Sequence, residues 1–222
     1  MRLPGWMCCV LPLLWACSNS DQATTLALTS VSPATKSMSE CIDVKVGLTG
    51  VPPLTLDYGT SSAEAVTVKQ VSIGPRRFEA SSLQWADDGF HLPLSADLPE
   101  GKQDVRALLS NGQELVLPGG FEVTPPLQID GFAMGYVVDH EPGEPFTLSI
   151  WAQGPDAERF QGKVYLSADR AVLQPAESAP FQDGKLTQTV TLSAPPETIS
   201  IIHVVDCQGR RTESNEFVLN SP

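Results

Sequence analysis

The chain lacks any apolar run long enough to cross a membrane. Its longest run, residues 3–16, is interrupted by two prolines and a glycine, whereas a spanning helix needs about 20 apolar residues. A short apolar segment of this kind behind a basic residue is typical of a secretory signal.

Positive charge is also scarce. The chain has 14 Lys and Arg residues against 26 Asp and Glu residues, so its formal net charge is −12. Because an acidic surface repels phosphate groups, we expect no nucleic-acid partner. Without a basic patch, attachment to a membrane has to come from something other than attraction to anionic lipid.

Catalytic motifs are missing as well. No G-x-S-x-G nucleophile elbow occurs, and His91, His140 and His203 lie far apart in the sequence. His91 and His203 fall inside strand patterns, where packing is the expected role. We therefore expect a protein that is not an enzyme and that carries no cofactor.

One short acidic loop is the only compact cluster of metal-capable side chains. It contains Asp139, His140 and Glu141, with Glu144 nearby. A solvated turn is the expected structure, so no metal is predicted. A weak divalent-cation site is the alternative, because carboxylates and imidazole are suitable ligands.

The stretch from Leu14 to Cys17 resembles the lipobox of bacterial lipoproteins, in which the cysteine is lipid-modified and becomes the new N-terminus. The resemblance implies a signal peptide over residues 1–16, lipid on Cys17 and a polar tether over residues 17–25. The membrane is then a partner through that lipid, since each buried CH₂ group contributes about 0.8 kcal/mol. An ordinary signal peptide is the alternative.

The residue after the cysteine bears on localisation. Ser18 stands where the inner-membrane retention signal of bacterial lipoproteins has aspartate. The resemblance therefore implies a lipid-anchored protein of the cell envelope at the outer membrane, on its periplasmic face or at the cell surface.

Beyond the tether, apolar residues alternate with polar ones in short runs. Ile42, Val44 and Val46 fall on one side of such a run, which is the period of a half-buried strand. Asn111-Gly112 lies between two apolar runs and predicts a hairpin whose type I′ turn places both residues at positive φ. The spacing predicts about seven short strands in each half of the chain.

A proline pair divides the pattern into two halves. Thr124-Pro125-Pro126 cannot continue a strand ladder, because proline has no N–H to donate. We expect an all-β fold of two tandem immunoglobulin-like β-sandwiches, over residues 26–124 and 127–222. A single large barrel is the alternative.

The first half resembles the immunoglobulin-like TIG domains that plexins, transcription factors and bacterial surface proteins share. The opening and closing signals of those domains are matched by Leu28, Val31, Pro33, Pro99, Gly101, Val105, Asn111, Gly112, Phe121 and Val123. The chain departs from the pattern at Ser39-Glu40, where Gly-Gly is usual. Residues 127–220 resemble bacterial Ig-like repeats, for example in FTLSIWAQ. Both families consist mostly of binding or spacer modules.

Two cysteines remain once Cys17 carries lipid and Cys8 and Cys9 leave with the signal peptide. In tandem Ig-like sandwiches, the start of the second strand of one and the turn after ISIIHVVD of the other both lie at the junction. We therefore predict a Cys41–Cys207 disulfide that joins the two sandwiches, in a compartment that favours disulfides. Two separate thiols are the alternative.

Three aromatic side chains are candidate ligand contacts. Trp85 lies at a turn edge, Trp151 lies opposite the apolar side of its strand, and Tyr136 lies in a loop. Exposed aromatics beside acids stack on sugar rings or anchor a partner protein, whereas a tryptophan in a sandwich core is the alternative. We interpret the pairs Arg76-Arg77 and Arg210-Arg211 as solvated turns.

Together these patterns predict a non-enzymatic, lipid-anchored envelope protein that acts as a binding, adhesion or spacer module. Its expected partner is another envelope protein or a glycan. One alternative is a carbohydrate-binding or carbohydrate-processing accessory protein with a loop-borne site. Trp85 and Trp151 on one face with carboxylates would favour carbohydrate binding, and a deep pocket that holds acidic residues would favour catalysis. Another is a metal-binding lipoprotein, which requires His140 to meet its acidic neighbours.

Overall fold

A computed structural model describes residues 25–59, 61–95 and 97–220. The predicted signal peptide, Cys17 and the tether up to residue 24 lie outside these ranges. None of the described residues forms a helix with the length and apolar character needed to cross a membrane. The described chain begins at Thr25, which forms a parallel β-bridge with Val51.

The described residues form strands and two 3₁₀ turns, with no α-helix, so the all-β prediction is confirmed. Two separate hydrophobic cores hold the strands together. One is built around Phe90 and Phe121 and lies within residues 26–123. The other is built around Phe160 and Phe181 and lies within residues 127–219. We call the two bodies the N-terminal and the C-terminal sandwich.

The N-terminal sandwich contains eleven strands among its described residues. They are β1 (Ala27–Ser32), β2 (Thr35–Ser37), β3 (Ile42–Thr49), β4 (Leu54–Asp57), β5 (Ser62–Ala65), β6 (Val68–Ile73), β7 (Arg76–Glu79), β8 (Gln84–Ala86), β9 (Gly89–Leu94), β10 (Gly101–Leu109) and β11 (Glu114–Thr124). One sheet has the order β1-β3-β9-β8 and the other β2-β11-β10-β6-β7, while β4 and β5 form a separate hairpin. Residues 27–37 therefore contribute to both sheets, β1 to one and β2 to the other, with β2 parallel to β11, as in immunoglobulin-like domains.

The C-terminal sandwich repeats this arrangement with nine strands. They are β12 (Gly131–Met134), β13 (Pro145–Gln153), β14 (Val164–Ala168), β15 (Val172–Gln174), β16 (Lys185–Ser193), β17 (Thr198–Ser200), β18 (Ile202–Asp206), β19 (Arg211–Glu213) and β20 (Phe217–Leu219). One sheet has the order β12-β13-β16-β15; opposite it, β14-β18-β19 and β17-β20 form the other layer.

Side-chain alternation explains why these segments are strands. In β3, Ile42, Val44 and Val46 are at most 5% exposed, while the intervening Asp43 and Lys45 are only partly buried. In β13 the same period buries every second residue from Phe146 onward. A strand presents successive side chains to opposite faces, so this period places one apolar face of each sheet on the core.

The predicted hairpin at Asn111-Gly112 forms, but its turn is not of type I′. Leu109 pairs with Gln113 across a three-residue loop, and the Gly112 N–H donates to the Leu109 carbonyl at 3.0 Å. Gly112 has φ +84°, whereas Asn111 is not among the residues with positive φ. The Asn111 side chain instead accepts the Gln113 N–H at 3.0 Å, so one glycine in the left-handed region suffices.

Candidate functional site: the junction between the sandwiches

The predicted disulfide is confirmed and lies where the two sandwiches meet. Cys41 immediately precedes β3, Cys207 immediately follows β18, and their Cα atoms are 6.1 Å apart. The two residues are 166 positions apart in the sequence. Beside the disulfide, the Lys163 N–H donates to the Cys41 carbonyl at 2.9 Å, so backbone hydrogen bonding also crosses the junction.

The carboxylate of Glu40 connects the two sandwiches. One oxygen accepts the backbone N–H groups of Gln161 and Gly162 at 2.6 and 3.0 Å, and the other accepts the Ser37 N–H at 2.9 Å. Glu40 is only 4% exposed. A buried carboxylate is costly unless donors surround it, so these three hydrogen bonds fix where the C-terminal sandwich sits.

Glycine at position 162 permits this close approach. A Cβ atom there would lie 2.8 Å from the Phe160 ring and 3.4 Å from the Cβ of Glu40. A side chain at position 162 would therefore collide with the Phe160 ring, and glycine lets the backbone of residues 161–162 lie against the carboxylate without moving that ring.

Arg210 is the second element that spans the junction. Its Nε donates to the Asp206 carboxylate at 2.6 Å, while its Nη atoms donate to the carbonyls of Ile129 and Ser39 at 3.3 and 3.4 Å. The guanidinium carbon also lies 6.0 Å from the centre of the Phe160 ring. One planar cation thereby contacts the C-terminal core, the segment after the linker and the N-terminal sandwich.

Our interpretation of Arg210 as a residue of a solvated turn is therefore wrong. Its side chain is 18% exposed and that of Asp206 is 1% exposed. Asp206 also accepts the backbone N–H groups of Gln208 and Arg210, both at 2.9 Å, which closes the turn tightly. The disulfide at Cys207 brings this turn against the other sandwich, and a sequence pattern cannot show that. Arg211, by contrast, is exposed.

The linker is held by two serine hydroxyls. The Leu127 N–H points at both the Ser37 and Ser39 hydroxyls, at 3.1 and 3.0 Å, and the Ser37 hydroxyl donates to the Pro125 carbonyl at 3.0 Å. On the other side, the Met38 N–H donates to the Thr124 carbonyl at 3.0 Å. The proline-containing segment is thus bound along its length to the N-terminal sandwich.

The buried side chain of Lys36 holds the backbone next to the linker in place. Lys36 is 3% exposed, and its ammonium donates to the carbonyls of Glu40 and Ser95 at 2.8 and 2.7 Å. Burial lowers the pKa of Lys36 to about 8, against which the charge of Glu40 acts. The lysine therefore holds the Glu40 backbone in position, and because its pKa is lowered it loses its proton at a lower pH than an exposed lysine does.

At the rim, Lys163 forms ion pairs with Asp43 of the N-terminal sandwich and with Glu177. Partial burial by itself lowers the pKa of Lys163, but the hydrogen bonds and charges of the two carboxylates outweigh it, so the pKa is raised. The Lys163–Asp43 pair adds a further polar contact across the junction, and it is weaker than the buried ones because solvent screens it.

Shallow clefts flank the junction. One of them has a volume of about 290 Å³ and is lined by Lys36, Glu40, Glu158 and Arg159 among others. Across the residues that the structure describes, every buried side-chain nitrogen and oxygen has a hydrogen-bond partner. The clefts therefore offer no unpaired buried group for a ligand, and two of the lining side chains, Lys36 and Glu40, already make contacts at the junction.

The aromatic candidates are exposed but not brought together. Trp85, 53% exposed, packs edge-on against Phe90 in the N-terminal sandwich. Trp151, 38% exposed, lies on the outer face of β13 in the C-terminal sandwich beside Gly135, and Tyr136 is exposed in the loop after β12. The two tryptophans lie in different sandwiches, Trp85 in β8 and Trp151 in β13, so they do not lie on one sheet.

The acidic loop is used for internal contacts. The ring of His140 stacks on Phe146 with centroids 4.1 Å apart, and the Asp139 carboxylate accepts the Val218 N–H at 2.8 Å. Within residues 25–59, 61–95 and 97–220, no group of three or more His, Cys, Asp or Glu side chains is placed to hold a metal ion. His203, in β18, lies between the carboxylates of Asp169 and Glu213.

Sequence reasoning found the two cysteines of this junction but missed its buried charges. Glu40, Lys36 and Arg210 are charged residues in irregular or polar stretches, which ordinarily indicates exposure. One signal was present, because Ser39-Glu40 replaces the Gly-Gly of the TIG pattern. In the structure both of these residues contact the C-terminal sandwich or the linker.

Comparisons with known proteins give structural similarity only. Neither a protein-family model nor a curated protein sequence matches the chain. Among solved structures, domains 4 and 5 of the S-layer protein SbsC align at 12% identity, covering 88% of this chain and 100% of that one, with a TM-score of 0.34. The D0-D1 domains of intimin align at 11% identity, covering 89% and 98%, with a TM-score of 0.36.

The Yersinia pseudotuberculosis adhesin InvE aligns at 12% identity, covering 90% of this chain and 60% of its own, with a TM-score of 0.34. These TM-scores are all below 0.5. The similarity therefore says nothing about what this chain binds, and its function has to be argued from its own residues.

Replacing Arg210 should destabilise the protein far more than replacing its neighbour. Arg210→Met leaves the buried Asp206 carboxylate without its cationic partner, and we expect it to lower the free energy of unfolding by about 3 kcal/mol. Arg211→Met, the matched control at an exposed position, should change it by less than about 0.5 kcal/mol. Denaturant unfolding of the disulfide-intact protein measures both; equal effects would contradict a junction role for Arg210.

Lys36 should make stability depend on alkaline pH. Between about pH 8 and 10.5 the unfolded chain holds a proton on this lysine that the folded chain has lost, so rising pH favours the folded state. Relative to Lys36→Met, the wild type should gain about 3 kcal/mol across this window and nothing below it. Lys102→Met, at an exposed position, is the control in denaturant titrations at pH 7.5 and 10.5. A flat difference between wild type and Lys36→Met would show that the ammonium is not desolvated.

Proposed function

We propose that the protein is a non-enzymatic, lipid-anchored module of the cell envelope, in which two sandwiches form one rigid spacer. The observation that carries the proposal is the junction, where a disulfide and the buried side chains of Glu40 and Arg210 join the two bodies. The lipid is carried by Cys17 at the end of the polar tether. The outer membrane is the proposed location, and another envelope protein or a glycan is the proposed partner.

Rigidity is supported by the number and kind of contacts across the junction. With a Pro-Pro linker alone, the two sandwiches would be free to rotate relative to each other. Closing a loop of more than 100 residues with a disulfide adds about 5 kcal/mol in the chain-entropy model. Because the carboxylate of Glu40 and the guanidinium of Arg210 require specific geometry, the polar contacts also select one relative orientation.

A non-enzymatic role is supported by how the polar groups are used. In the described part of the chain, the charged side chains that approach one another serve as structural links, such as Arg210 with Asp206 and Lys163 with Asp43. His203 is the histidine with the closest carboxylates, and it lies on a strand with no nucleophile bonded to it.

The N-terminal sandwich is proposed to be a TIG-like domain adapted to this task. The proposal is supported by two strands that carry the motif residues, since β1 ends directly before Pro33 and β11 contains Phe121 and Val123. The departure at Ser39-Glu40 then has a physical reason. A carboxylate and a hydroxyl at these positions supply the contacts to the following sandwich that Gly-Gly could not make.

The lipid anchor is tested on the full chain expressed in a bacterium with an outer membrane. We expect mass spectrometry to find a mature chain that begins at residue 17 and carries acyl chains, because the lipobox directs both steps. Cys17→Ser should abolish both, whereas Cys9→Ser, within the removed segment, should change neither. An unmodified thiol at Cys17 would end the anchoring half of the proposal.

The rigid junction is tested by small-angle X-ray scattering on residues 25–222. The wild type should fit a single arrangement of the two sandwiches. Removing the disulfide together with the Glu40 contacts, in Cys41→Ser/Cys207→Ser/Glu40→Ala, should require a distribution of arrangements. The variant that lacks only the disulfide is the control for the polar contacts. A wild type that already needs many arrangements would contradict the proposal.

A further inference from the structure

The hairpin of β4 and β5 stands away from the N-terminal sandwich, and its apolar face is uncovered. All eight residues of the two strands are exposed. The hairpin is closed at its base, where the Val66 N–H donates to the Pro53 carbonyl at 2.9 Å. An isolated two-stranded hairpin is marginally stable in water, so an uncovered one points to a partner surface.

Side-chain alternation makes this hairpin amphipathic. Leu54 pairs with Ala65 and Leu56 with Ala63, so these four side chains share one face. The opposite face is polar and consists of Thr55, Asp57, Ser62 and Glu64. Alternation of this kind is normally found where one face of a strand pair is covered.

Large apolar side chains of this hairpin are exposed to solvent. Leu54 is 63% exposed and Leu56 is 54% exposed. Tyr58, in the turn just beyond β4, is 88% exposed and lines a shallow depression together with Leu56 and Ala63. Val51, three residues before β4, is 62% exposed as well. Single exposed apolar residues are ordinary, but a contiguous cluster on a protruding element indicates an interaction surface.

The hairpin lies at the end of the molecule where the described chain starts. Thr25 forms a bridge with Val51, three residues before β4 begins. The junction is at the opposite end, because Cys41 precedes β3 while Val51 follows it. The eight residues of β3 separate the two ends by about 27 Å.

The tether keeps this end close to the anchor. Cys17 lies eight residues before Thr25, a distance that spans at most about 28 Å when extended and about 16 Å as a flexible chain. The four-residue strands of the hairpin reach about 13 Å. A lipid on Cys17 therefore keeps the base of the hairpin within about 28 Å of the bilayer, a distance that still allows the hairpin to reach it.

Resting on the lipid anchor of the proposed function, we propose that the apolar face formed by Leu54, Leu56 and Tyr58 inserts into the interfacial layer of a phospholipid bilayer. Tyrosine suits this layer because its ring is apolar and its hydroxyl is polar. The polar face, with Asp57 and Glu64, then remains toward water.

The negative charge of the hairpin favours a zwitterionic membrane surface over an anionic one. Residues 51–66 contain Asp57 and Glu64 and no Lys or Arg. An anionic surface repels such a segment, whereas a zwitterionic phospholipid surface does not. With this second contact in addition to the lipid on Cys17, the rigid pair of sandwiches takes a fixed direction relative to the membrane.

The experiment uses full-length protein in vesicles of phosphatidylcholine and phosphatidylethanolamine. An environment-sensitive fluorophore is attached in Leu56→Cys and, as the matched control on the opposite face of the same strand, in Thr55→Cys. We expect blue-shifted emission at position 56 and quenching by spin-labelled lipid at least about threefold stronger than at position 55. Adding phosphatidylglycerol to the vesicles should reduce this difference.

Failure of this inference can be told from failure of the proposed function, because the acylation of Cys17 is measured by mass on the same samples. Acylated protein with equal, water-like emission at positions 55 and 56 overturns the inference and leaves the anchored spacer intact. Unacylated Cys17 overturns both. Shielding of position 56 without vesicles that grows with protein concentration assigns the face to a second copy of the chain and also overturns the inference.

Discussion

Burial of the Glu40 carboxylate is the constraint on which the arrangement of the two sandwiches depends. A charge that leaves water must find donors, and the three nearest N–H groups belong to Ser37 on one side and to residues 161–162 on the other. Satisfying the carboxylate therefore requires the second sandwich to dock in one place. Lys36 holds the backbone of Glu40 beneath it, which ties that place to the N-terminal core.

The disulfide and the buried charges divide the work at this junction. The Cys41–Cys207 bond fixes one point, and rotation about one point would leave the angle between the sandwiches open. Arg210 supplies a second point through the Ser39 and Ile129 carbonyls, and the serine hydroxyls that hold the linker supply a third. Three separated contacts are enough to define an orientation. In the proposed spacer, the apolar hairpin of β4 and β5 at the opposite end is the part that faces the membrane.

Much of the fold follows from the sequence because period-2 alternation and turn chemistry are local. β3, β10 and β13 were predictable for this reason, and the disulfide followed from placing two cysteines on an Ig-like topology. The predicted type I′ turn was wrong because the loop at Asn111-Gly112 contains three residues, so that only the glycine needs positive φ. Residues 54–65 alternate as well, but alternation alone does not tell a covered face from an uncovered one.

By itself, then, the sequence determined the all-β class and the two cysteines available for a disulfide, and it predicted a division at the proline pair, because composition and period act within a few residues. Only the tertiary structure decided that Glu40, Lys36 and Arg210 are buried and that the face of Leu54 and Leu56 is not. The physical reason is that burial depends on which distant segments meet. A charged side chain is stable inside wherever folding brings donors or acceptors from another part of the chain to surround it.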